Sequence, residues 1–521
     1  MSLSPSGATR KNGYKKGLSG EDARIKREEE LVQIRKDKRS EGLKKRRNVS
    51  IHRANLRYLQ PKLEHLPLMV QAVLSDDSSW YLAATTLIRK LLSTGESPLI
   101  DEVVRAGVVH RLVEFLDADA FPLLQTEAAW ALVNIASGTP VHTRLIIELG
   151  SIPKFVQLLR SLVADVQEQA VWALANIAGD SPNCRDHVLS GGALVPLLAQ
   201  LDGQPELTLM RSIAWTLSNL YRWKPLPPFE QVKPALPALR RLIKSEDEAV
   251  LIDTCWALSF ICDGSNHNIQ SVLDAGFCPR LVELLVHPSP NVQVPTLKTV
   301  GNIVSGNEDQ TQFVIEKQGL PPLYQILTEN WDRSVKEEAC WVITNITAGN
   351  RNQIQAVIKA NIIPPVVSLL QHAEFKIKKE AAWAISYAVS GGSHEQIDCF
   401  FRYLVSQGCI KPLCDFLTCS DPEIITVCLD GVESILESGE GNKEPGFHRV
   451  NKYLHMIDEC EGFNKIVDLQ THMNSEVNKK ASDMLDKYWS EKENKEEEEE
   501  ELHSFDSGAD MKLDIGRLSL S

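Results

Sequence analysis

The sequence repeats itself at a nearly fixed interval. Trp-Ala-Leu-Val-Asn at 130–134 returns in altered form every 41 to 43 residues. The seven copies begin at Trp130, Trp172, Trp215, Trp256, Lys298, Trp341 and Trp383. A period near 42 residues is typical of helical solenoids of the armadillo or HEAT type. We therefore predict an all-α solenoid.

A second pattern marks the start of most repeats. Dipeptides that mostly contain Gly precede an apolar stretch at Ala106-Gly107, Leu149-Gly150, Gly191-Gly192, Ala275-Gly276, Gln318-Gly319, Ala360-Asn361 and Gln407-Gly408. We predict that Gly makes the sharp turn between helices and that a Pro, such as Pro153, opens the next helix. The fourth repeat lacks this turn and has PLPPFEQVKPALPALRRLI instead, and a degraded repeat begins at Glu461. About ten repeats are predicted, with atypical ends.

The repeated segment has two faces. At about 100° per residue, Trp130, Asn134 and Ser137 share one stripe of the helix, and Leu132 and Ile135 lie opposite with Ala128. A lone helical Trp is usually part of the core. Here burial of the Trp would also bury the Asn amide, which would then need partners. We therefore predict an apolar core stripe and a Trp–Asn pair displayed outward in each repeat.

Stacked Trp–Asn pairs would suit an extended basic peptide. Helices pack about 8–10 Å apart and an extended chain advances about 3.3 Å per residue, so successive Trp rows should lie about three peptide residues apart. Gaps between indole rings could hold the methylene stems of Lys or Arg with a cation–π contribution. The Asn amides could bind the peptide backbone, and acidic groups would select the cationic heads.

Charge is divided unevenly along the chain. The net charge is −13, yet residues 1–57 contain 17 Lys/Arg and only 7 Asp/Glu. This division indicates a basic arm at 1–57, an acidic solenoid at 58–490 and a tail at 491–521 that contains Glu496–Glu501. We expect the tail to be disordered. The 11 Cys form no CxxC pair, and no signal peptide or membrane span is evident, which favours a cytosolic or nuclear protein.

The basic arm has two parts. Residues 20–39 are rich in Glu, Lys, Arg and Leu and predict a helix too polar to fold without a partner, and Lys44, Lys45, Arg46 and Arg47 follow as a compact cluster. A solvated tail is one alternative. Nucleic-acid binding is another, but the arm lacks the interleaved aromatic residues that stack on bases. Protein partners are favoured.

Signatures of catalysis are absent from the sequence. It has no phosphate loop, no G-x-S-x-G elbow and no HExxH or Cys/His metal spacing. Gly391-Gly392-Ser393-His394 falls where other repeats have an inter-helix loop. We expect no enzyme activity, no cofactor and no metal.

The sequence resembles the importin α (karyopherin α) family over residues 20–505. The matching segments are WALVNIASGT at 130–139, NIAGD at 176–180, VGNIVSG at 300–306 and KRRNV at 45–49. The resemblance implies a right-handed superhelical armadillo solenoid. It also implies an adaptor that carries nuclear localisation signals, which are Lys/Arg-rich peptides, to importin β and shuttles between cytoplasm and nucleus.

The resemblance also places the binding residues. Those implied for a major groove are Trp130, Asn134, Ser137, Gly138, Thr143, Gln169, Trp172, Asn176, Asp180, Trp215, Asn219 and Asp253. Those implied for a minor groove are Lys298, Asn302, Glu338, Trp341, Asn345, Glu380 and Trp383. Asp180 would pair with the key lysine of the signal.

Further partners follow from the resemblance alone. An importin-β-binding helix would use Arg24, Arg27, Arg35, Lys36, Lys38 and Arg39. The Lys44–Arg47 cluster would occupy the major groove of the free protein as an internal mimic of cargo. The last repeat and the tail resemble the region held by an export receptor with Ran-GTP, and contacts with nucleoporins are consistent with the family. Direct contact with nucleic acid or membrane is not expected.

Four positions depart from the family pattern. Tyr387 replaces the usual Asn, Lys298 the usual Arg, Phe260 the usual Tyr and Ser212 a common Asn. Tyr cannot supply a two-ended amide and Lys lacks the planar fork of Arg, so we expect a weakened minor groove. The alternative function is an armadillo scaffold for adhesion or transcription complexes, resembling β-catenin. That class prefers acidic ligands, whereas this solenoid is acidic and suits basic ones.

Overall fold

A computed structural model describes residues 62–93, 99–391, 397–440 and 451–489. The basic arm at 1–57, including the predicted helix and Lys44–Arg47, lies outside the described residues, as does the tail at 491–521. In the described part of the chain, helices follow one another through short turns. The prediction of an all-α repeat fold is confirmed.

The chain divides into two compact units. Of the described residues, the N-terminal unit contains 62–93, 99–326 and 331–338, and the C-terminal unit contains 327–330, 339–391, 397–440 and 451–489. The boundary falls within two helices, Leu320–Thr328 and Arg333–Thr347.

In the N-terminal unit, the Trp–Asn copies lie on long helices, here called ladder helices. They are Pro122–Ala136, Ala164–Ala178, Leu207–Tyr221, Glu248–Cys262 and Pro290–Val304. Each packs against the next, and Tyr81–Leu91 packs against the first. The shorter helices are Leu66–Leu74, Ile100–Arg105, Val109–Glu114, Pro140–Glu148, Ser151–Leu158, Pro182–Ser190, Leu194–Ala199, Phe229–Val232, Leu236–Leu242, Asn266–Asp274, Cys278–Leu284 and Glu308–Glu316, with 3₁₀ turns at Leu63–His65, Ser78–Trp80, Phe115–Asp117 and Lys233–Ala235.

In the C-terminal unit, the ladder helix Phe375–Ser390 packs against Pro422–Glu440, which packs against Ser475–Tyr488. The other helices that lie wholly in this unit are Arg351–Lys359, Ile363–His372, Ile397–Ser406, Ile410–Phe416, Lys452–Glu459 and Gly462–Leu469. No single helix in the described ranges is long and apolar enough to cross a membrane. One pair bent by 82°, Arg351–Lys359 with Ile363–His372, meets that test of length and composition only when taken together.

The core forms where the sequence pattern places it. Ala128, Leu132 and Ile135 are fully buried, as the helical projection predicts. Full burial of a Leu or Ile side chain stabilises a fold by about 1.5–3 kcal/mol relative to an exposed one. Repetition of this stripe on successive ladder helices gives the N-terminal unit a continuous core.

The turns between helices are only partly as predicted. Gly107, Gly150 and Gly408 do adopt the left-handed backbone, with φ of 73° to 79°. At Gln318-Gly319 the positive φ of 63° belongs to Gln318 and not to the Gly. Gly319 is instead needed for space, because a Cβ would lie 2.7 Å from Cγ1 of Val314.

The fourth repeat closes by a different contact. Its first helix is reduced to Phe229–Val232, followed by a 3₁₀ turn. The buried Tyr221 hydroxyl, at the end of a ladder helix, donates to the carbonyl oxygen of Val232 at 2.7 Å. This hydrogen bond joins the ladder helix to the shortened segment where other repeats have a Gly turn.

Candidate functional site

Three half-buried Trp side chains lie on successive ladder helices of the N-terminal unit: Trp130, Trp172 and Trp215. The rings of Trp172 and Trp215 are in contact, with centroids 4.9 Å apart and planes tilted by 50°. The predicted gap between these two indoles is therefore wrong for the free protein. A Lys or Arg stem would lie along the partly exposed edges of the pair or separate the two rings.

The Asn residues of the repeats join neighbouring ladder helices. Nδ2 of Asn176 donates to the carbonyl oxygen of Val133 at 3.1 Å, and Nδ2 of Asn219 donates to that of Ala175 at 3.1 Å. Asn134 lies one helix earlier and donates to Oγ of Ser93 at 3.0 Å. All three Asn are only 1–2 % exposed. The prediction that they are displayed outward is wrong, because the adjacent helix supplies the partners that a buried amide needs.

Two side-chain oxygens on one ladder helix of this unit are buried acceptors without a donor. Oδ1 of Asn176 and Oε1 of Gln169 have no hydrogen-bond partner among the described residues. Both belong to the ladder helix Ala164–Ala178. A buried acceptor without a partner costs about 1–3 kcal/mol. A bound N–H or ammonium group could recover that energy.

Asp180 follows the same helix and is half-buried. Its carboxylate faces two neutral donors, Oγ1 of Thr143 at 3.5 Å and Sγ of Cys184 at 3.7 Å. Burial and the nearby carboxylate raise the pKa of the Cys184 thiol, which keeps it a neutral donor. No Lys or Arg in the described residues forms an ion pair with Asp180, unlike Asp247, which pairs with Arg211 at 2.6 Å. Asp180 therefore keeps its negative charge available for a cation.

Of the remaining residues predicted for the major groove, Ser137 and Gly138 form the turn after the first ladder helix. Oγ of Ser137 donates to the carbonyl oxygen of Asn134 at 2.7 Å. A side chain at Gly138 would place Cβ 2.4 Å from Nδ1 of His142, so the turn has no room for one. Asp253 lies half-buried on Glu248–Cys262, the ladder helix after that of Trp215.

Arg89 is a site residue that the sequence analysis missed. Its guanidinium lies 4.4 Å from the ring centroid of Trp130 and pairs with Glu127 through bonds of 2.7 and 3.1 Å. Arg89 and Ser93 lie one period before Trp130 and Asn134, so extending the repeat backwards would have found both. Trp130 therefore already has a cation over its indole.

The residues implied for a minor groove are distributed over both units. In the N-terminal unit, Nζ of Lys298 lies 2.5 Å from Oε1 of Glu338. Nδ2 of Asn302 donates to the carbonyl oxygen of Ser259 at 2.9 Å, in the same manner as Asn176 and Asn219. Lys298 is thus engaged with an acid of its own unit.

In the C-terminal unit, Trp341 and Trp383 differ in exposure. Trp341 is half-buried and Asn345 donates to its carbonyl oxygen at 3.1 Å, within the same helix. Trp383 is only 5 % exposed and Glu380 only 4 %. The prediction of an outward-facing indole is therefore wrong for Trp383, whose ring contacts that of Tyr387 at a centroid distance of 5.4 Å.

The chemistry available here is that of recognition. The described residues contain no group of three His, Cys, Asp or Glu side chains that could hold a metal ion. Trp172 and Trp215 offer partly exposed indole rings, and Asp180, Asn176 and Gln169 add acceptors. Indole faces, carboxylates and amide oxygens all favour cationic N–H donors.

Comparison with known proteins identifies the family. Residues 10–86 match the model described as Importin beta binding domain. Seven segments between 96 and 436 match the Armadillo/beta-catenin-like repeat, and residues 451–502 match the Atypical Arm repeat. The chain is 56 % identical over 507 residues to Importin subunit alpha-1b of Oryza sativa subsp. japonica, covering 95 % of this chain and 94 % of that relative. This chain belongs to the importin α family.

Other importin α comparisons agree. Importin subunit alpha-3 of Arabidopsis thaliana is 52 % identical over 520 residues, covering 98 % of this chain and 97 % of the relative. A crystal structure described as an engineered protein superposes with a TM-score of 0.72 at 27 % identity, covering 81 % of this chain and 98 % of that one. The importin α family comprises adaptors of nuclear protein import, not enzymes, and its members bind importin β and cargo.

Proposed function

We propose that the row of Trp130, Trp172 and Trp215 binds Lys/Arg-rich nuclear localisation signals in an extended conformation. The observation that carries this proposal is the Asp180 carboxylate, which accepts hydrogen bonds only from neutral donors and follows the helix that contains the buried acceptors of Asn176 and Gln169. A lysine ammonium provides three N–H donors and the charge that this position lacks.

The row sets the length of the bound segment. Three ladder helices at about 8–10 Å spacing extend over about 20 Å, which an extended peptide crosses with about six residues. Arg89 covers Trp130, so the part of the row that remains for a bound cation lies at Trp172 and Trp215. A compact run of four or five basic residues fits this arrangement.

The residues implied for a minor groove would take a further basic cluster of the same signal, chiefly at the half-buried Trp341. The basic arm would deliver cargo to importin β through its helix, and Lys44–Arg47 would compete for the major groove until importin β binds. Release would involve the last repeat and the tail with an export receptor and Ran-GTP. The protein would shuttle between cytoplasm and nucleus and perform no catalytic step.

Calorimetric titration of a peptide with a single Lys/Arg cluster into the full chain tests the groove. Asp180→Asn removes the charge and nearly preserves the shape, and we expect at least about a tenfold loss of affinity, as for loss of a charge-assisted hydrogen bond. Asp165→Asn is the matched control, because Asp165 is exposed in the first turn of Ala164–Ala178. Equal affinity for both variants would overturn the proposed site, and binding of acidic peptides instead would favour the scaffold alternative.

A further inference from the structure

The Trp residues of the repeats fall into two kinds according to the residue four positions later in the sequence. Where that residue is Asn, as after Trp172, Trp215 and Trp341, the indole is half-buried. Where it is aromatic, the indole is covered: Trp256 is 7 % exposed and Trp383 is 5 % exposed. The partner rings belong to Phe260 and Tyr387, with centroids 5.9 and 5.4 Å from those of Trp256 and Trp383. The repeats therefore contain both half-buried indoles and indoles that a second aromatic ring covers.

The physical cause is local. Side chains four positions apart lie on the same face of a helix, and two aromatic rings there contact each other. The second ring takes the part of the indole surface that a Lys or Arg stem would otherwise cover. An Asn at this position is too short to cover the indole, and in Asn219 its amide donates to the preceding helix instead.

We propose that Tyr387 determines specificity by covering the Trp383 indole, so that a basic segment bound to the described part of the C-terminal unit contacts Trp341 but not Trp383. This inference rests on the proposed function. As a result, a second basic cluster adds little to the affinity of a signal whose first cluster already contacts Trp172 and Trp215. The protein should then favour cargo with one strong Lys/Arg cluster.

The acid of the same helix supports this inference. Glu380 lies three residues before Trp383 and is 4 % exposed, whereas Asp180 is half-buried. Oγ1 of Thr344 donates to the backbone carbonyl of Glu380 at 3.0 Å, which holds the neighbouring ladder helix close to this position. Both the indole and the carboxylate that would receive a cation are thus covered.

The test compares two peptides that differ only in the second cluster, which is Lys/Arg-rich in one and alanine in the other. Both are titrated into the full chain, and the ratio of their Kd values isolates the second cluster because competition by the basic arm affects both. We expect a ratio below about three for the wild-type protein. Tyr387→Asn should raise it to about ten, the value of one recovered cation–π contact with its stem. Tyr387→Phe keeps the ring and should behave as wild type.

Two further variants locate the gain. In the Tyr387→Asn background, Trp383→Ala should return the ratio to the wild-type value, whereas in the wild-type background Trp383→Ala should leave it unchanged. Asn345→Tyr makes the reverse exchange and should lower the ratio towards one by covering Trp341. Circular dichroism and the Tm establish that each variant is folded, and Asn345→Tyr keeps the proposal testable if Tyr387→Asn is unstable.

A wild-type ratio of about ten or more would overturn the inference without any variant, as would an unchanged ratio in folded Tyr387→Asn. In both cases the one-cluster peptide still binds and the proposed function stands. If neither peptide binds the wild-type chain, the proposed function fails and this inference fails with it.

Discussion

Nδ2 of Asn219 donates to the carbonyl oxygen of Ala175 at 3.1 Å, across the interface between two ladder helices. The side chain also lies against Gly179, where an added Cβ would be 3.0 Å from Nδ2. Asn219 therefore fixes the helix end that leads into Asp180. Stability of the repeat interface and placement of the acidic group depend on the same amide.

Asn219→Ala should lower both stability and peptide affinity. Loss of this buried hydrogen bond leaves the Ala175 carbonyl without its donor and should reduce the free energy of unfolding by about 1–3 kcal/mol. The Tm and a urea titration measure the first effect, and calorimetry with a one-cluster peptide measures the second. Asn183→Ala is the control, because Asn183 is exposed on Pro182–Ser190. A destabilised Asn219→Ala that binds peptide normally would limit this residue to a structural role.

The period of the sequence was sufficient to predict the fold. Apolar positions such as Leu132 and Ile135 recur at helical spacing and are fully buried. Helical projection specifies the direction of a side chain on its own helix but not the groups on the next helix. The burial of Asn176 depends on the Val133 carbonyl, 43 residues earlier, so it could not be derived from the helix alone.

Arg89 and Glu127 should be coupled strongly. Their side chains are 7 % and 19 % exposed, and the guanidinium also covers Trp130. Arg89→Met leaves the Glu127 carboxylate without its cation, and we expect a loss of about 2–4 kcal/mol in the free energy of unfolding. Adding Glu127→Gln should restore part of this loss, since the uncompensated charge is gone. Chemical denaturation of the two single variants and the double variant measures the coupling, and additive losses would contradict it.

The stability contributed by Asp247 should depend on pH. The hydrogen bond from Arg211 lowers the pKa of the Asp247 carboxyl from its ordinary value of 3.8. Asp247 also accepts from the backbone N–H of Val250, at the start of Glu248–Cys262. Because the folded pKa is below the unfolded one, the stabilisation is fully present above the unfolded pKa and is lost as pH falls through the folded pKa.

Asp247→Asn separates this charge from the helix cap, since Asn caps helices about as well as Asp. The Arg211 side chain is 47 % exposed, so solvent screening limits the expected loss to about 0.5–1 kcal/mol at neutral pH. The difference from wild type should shrink below about pH 4. Thermal unfolding from pH 3 to 7 measures it, with the exposed Asp202→Asn as a control. A difference that does not change with pH would indicate a loss of the cap rather than of the ion pair.

The binding site was only partly predictable from the sequence. Copies that share a Trp differ in its exposure, since Tyr387 covers Trp383 whereas Trp341 remains half-buried. The sequence shows that Tyr387 replaces the usual Asn, but its contact with the Trp383 ring and the burial of that ring follow only from the three-dimensional structure. Arg89 is missed because the repeat before Trp130 has Arg and not Trp at the equivalent position, although the period places it one step before Trp130. Residues that differ from the repeat pattern, such as Arg89, are therefore the hardest part of the site to predict from the sequence.

The basic arm should weaken cargo binding in the free protein. Because Lys44–Arg47 belongs to the same chain as the groove, it would compete intramolecularly, and an effective concentration of about 1 mM with an internal dissociation constant of about 0.1 mM would weaken peptide binding about tenfold. Lys45→Ala with Arg46→Ala should therefore raise the apparent affinity of the full chain for a one-cluster peptide by about tenfold. Adding importin β to the wild-type chain should have the same effect, because its binding removes the arm from the groove. Lys15→Ala with Lys16→Ala is the matched control, and calorimetry that gives equal affinities for both double variants would contradict the competition.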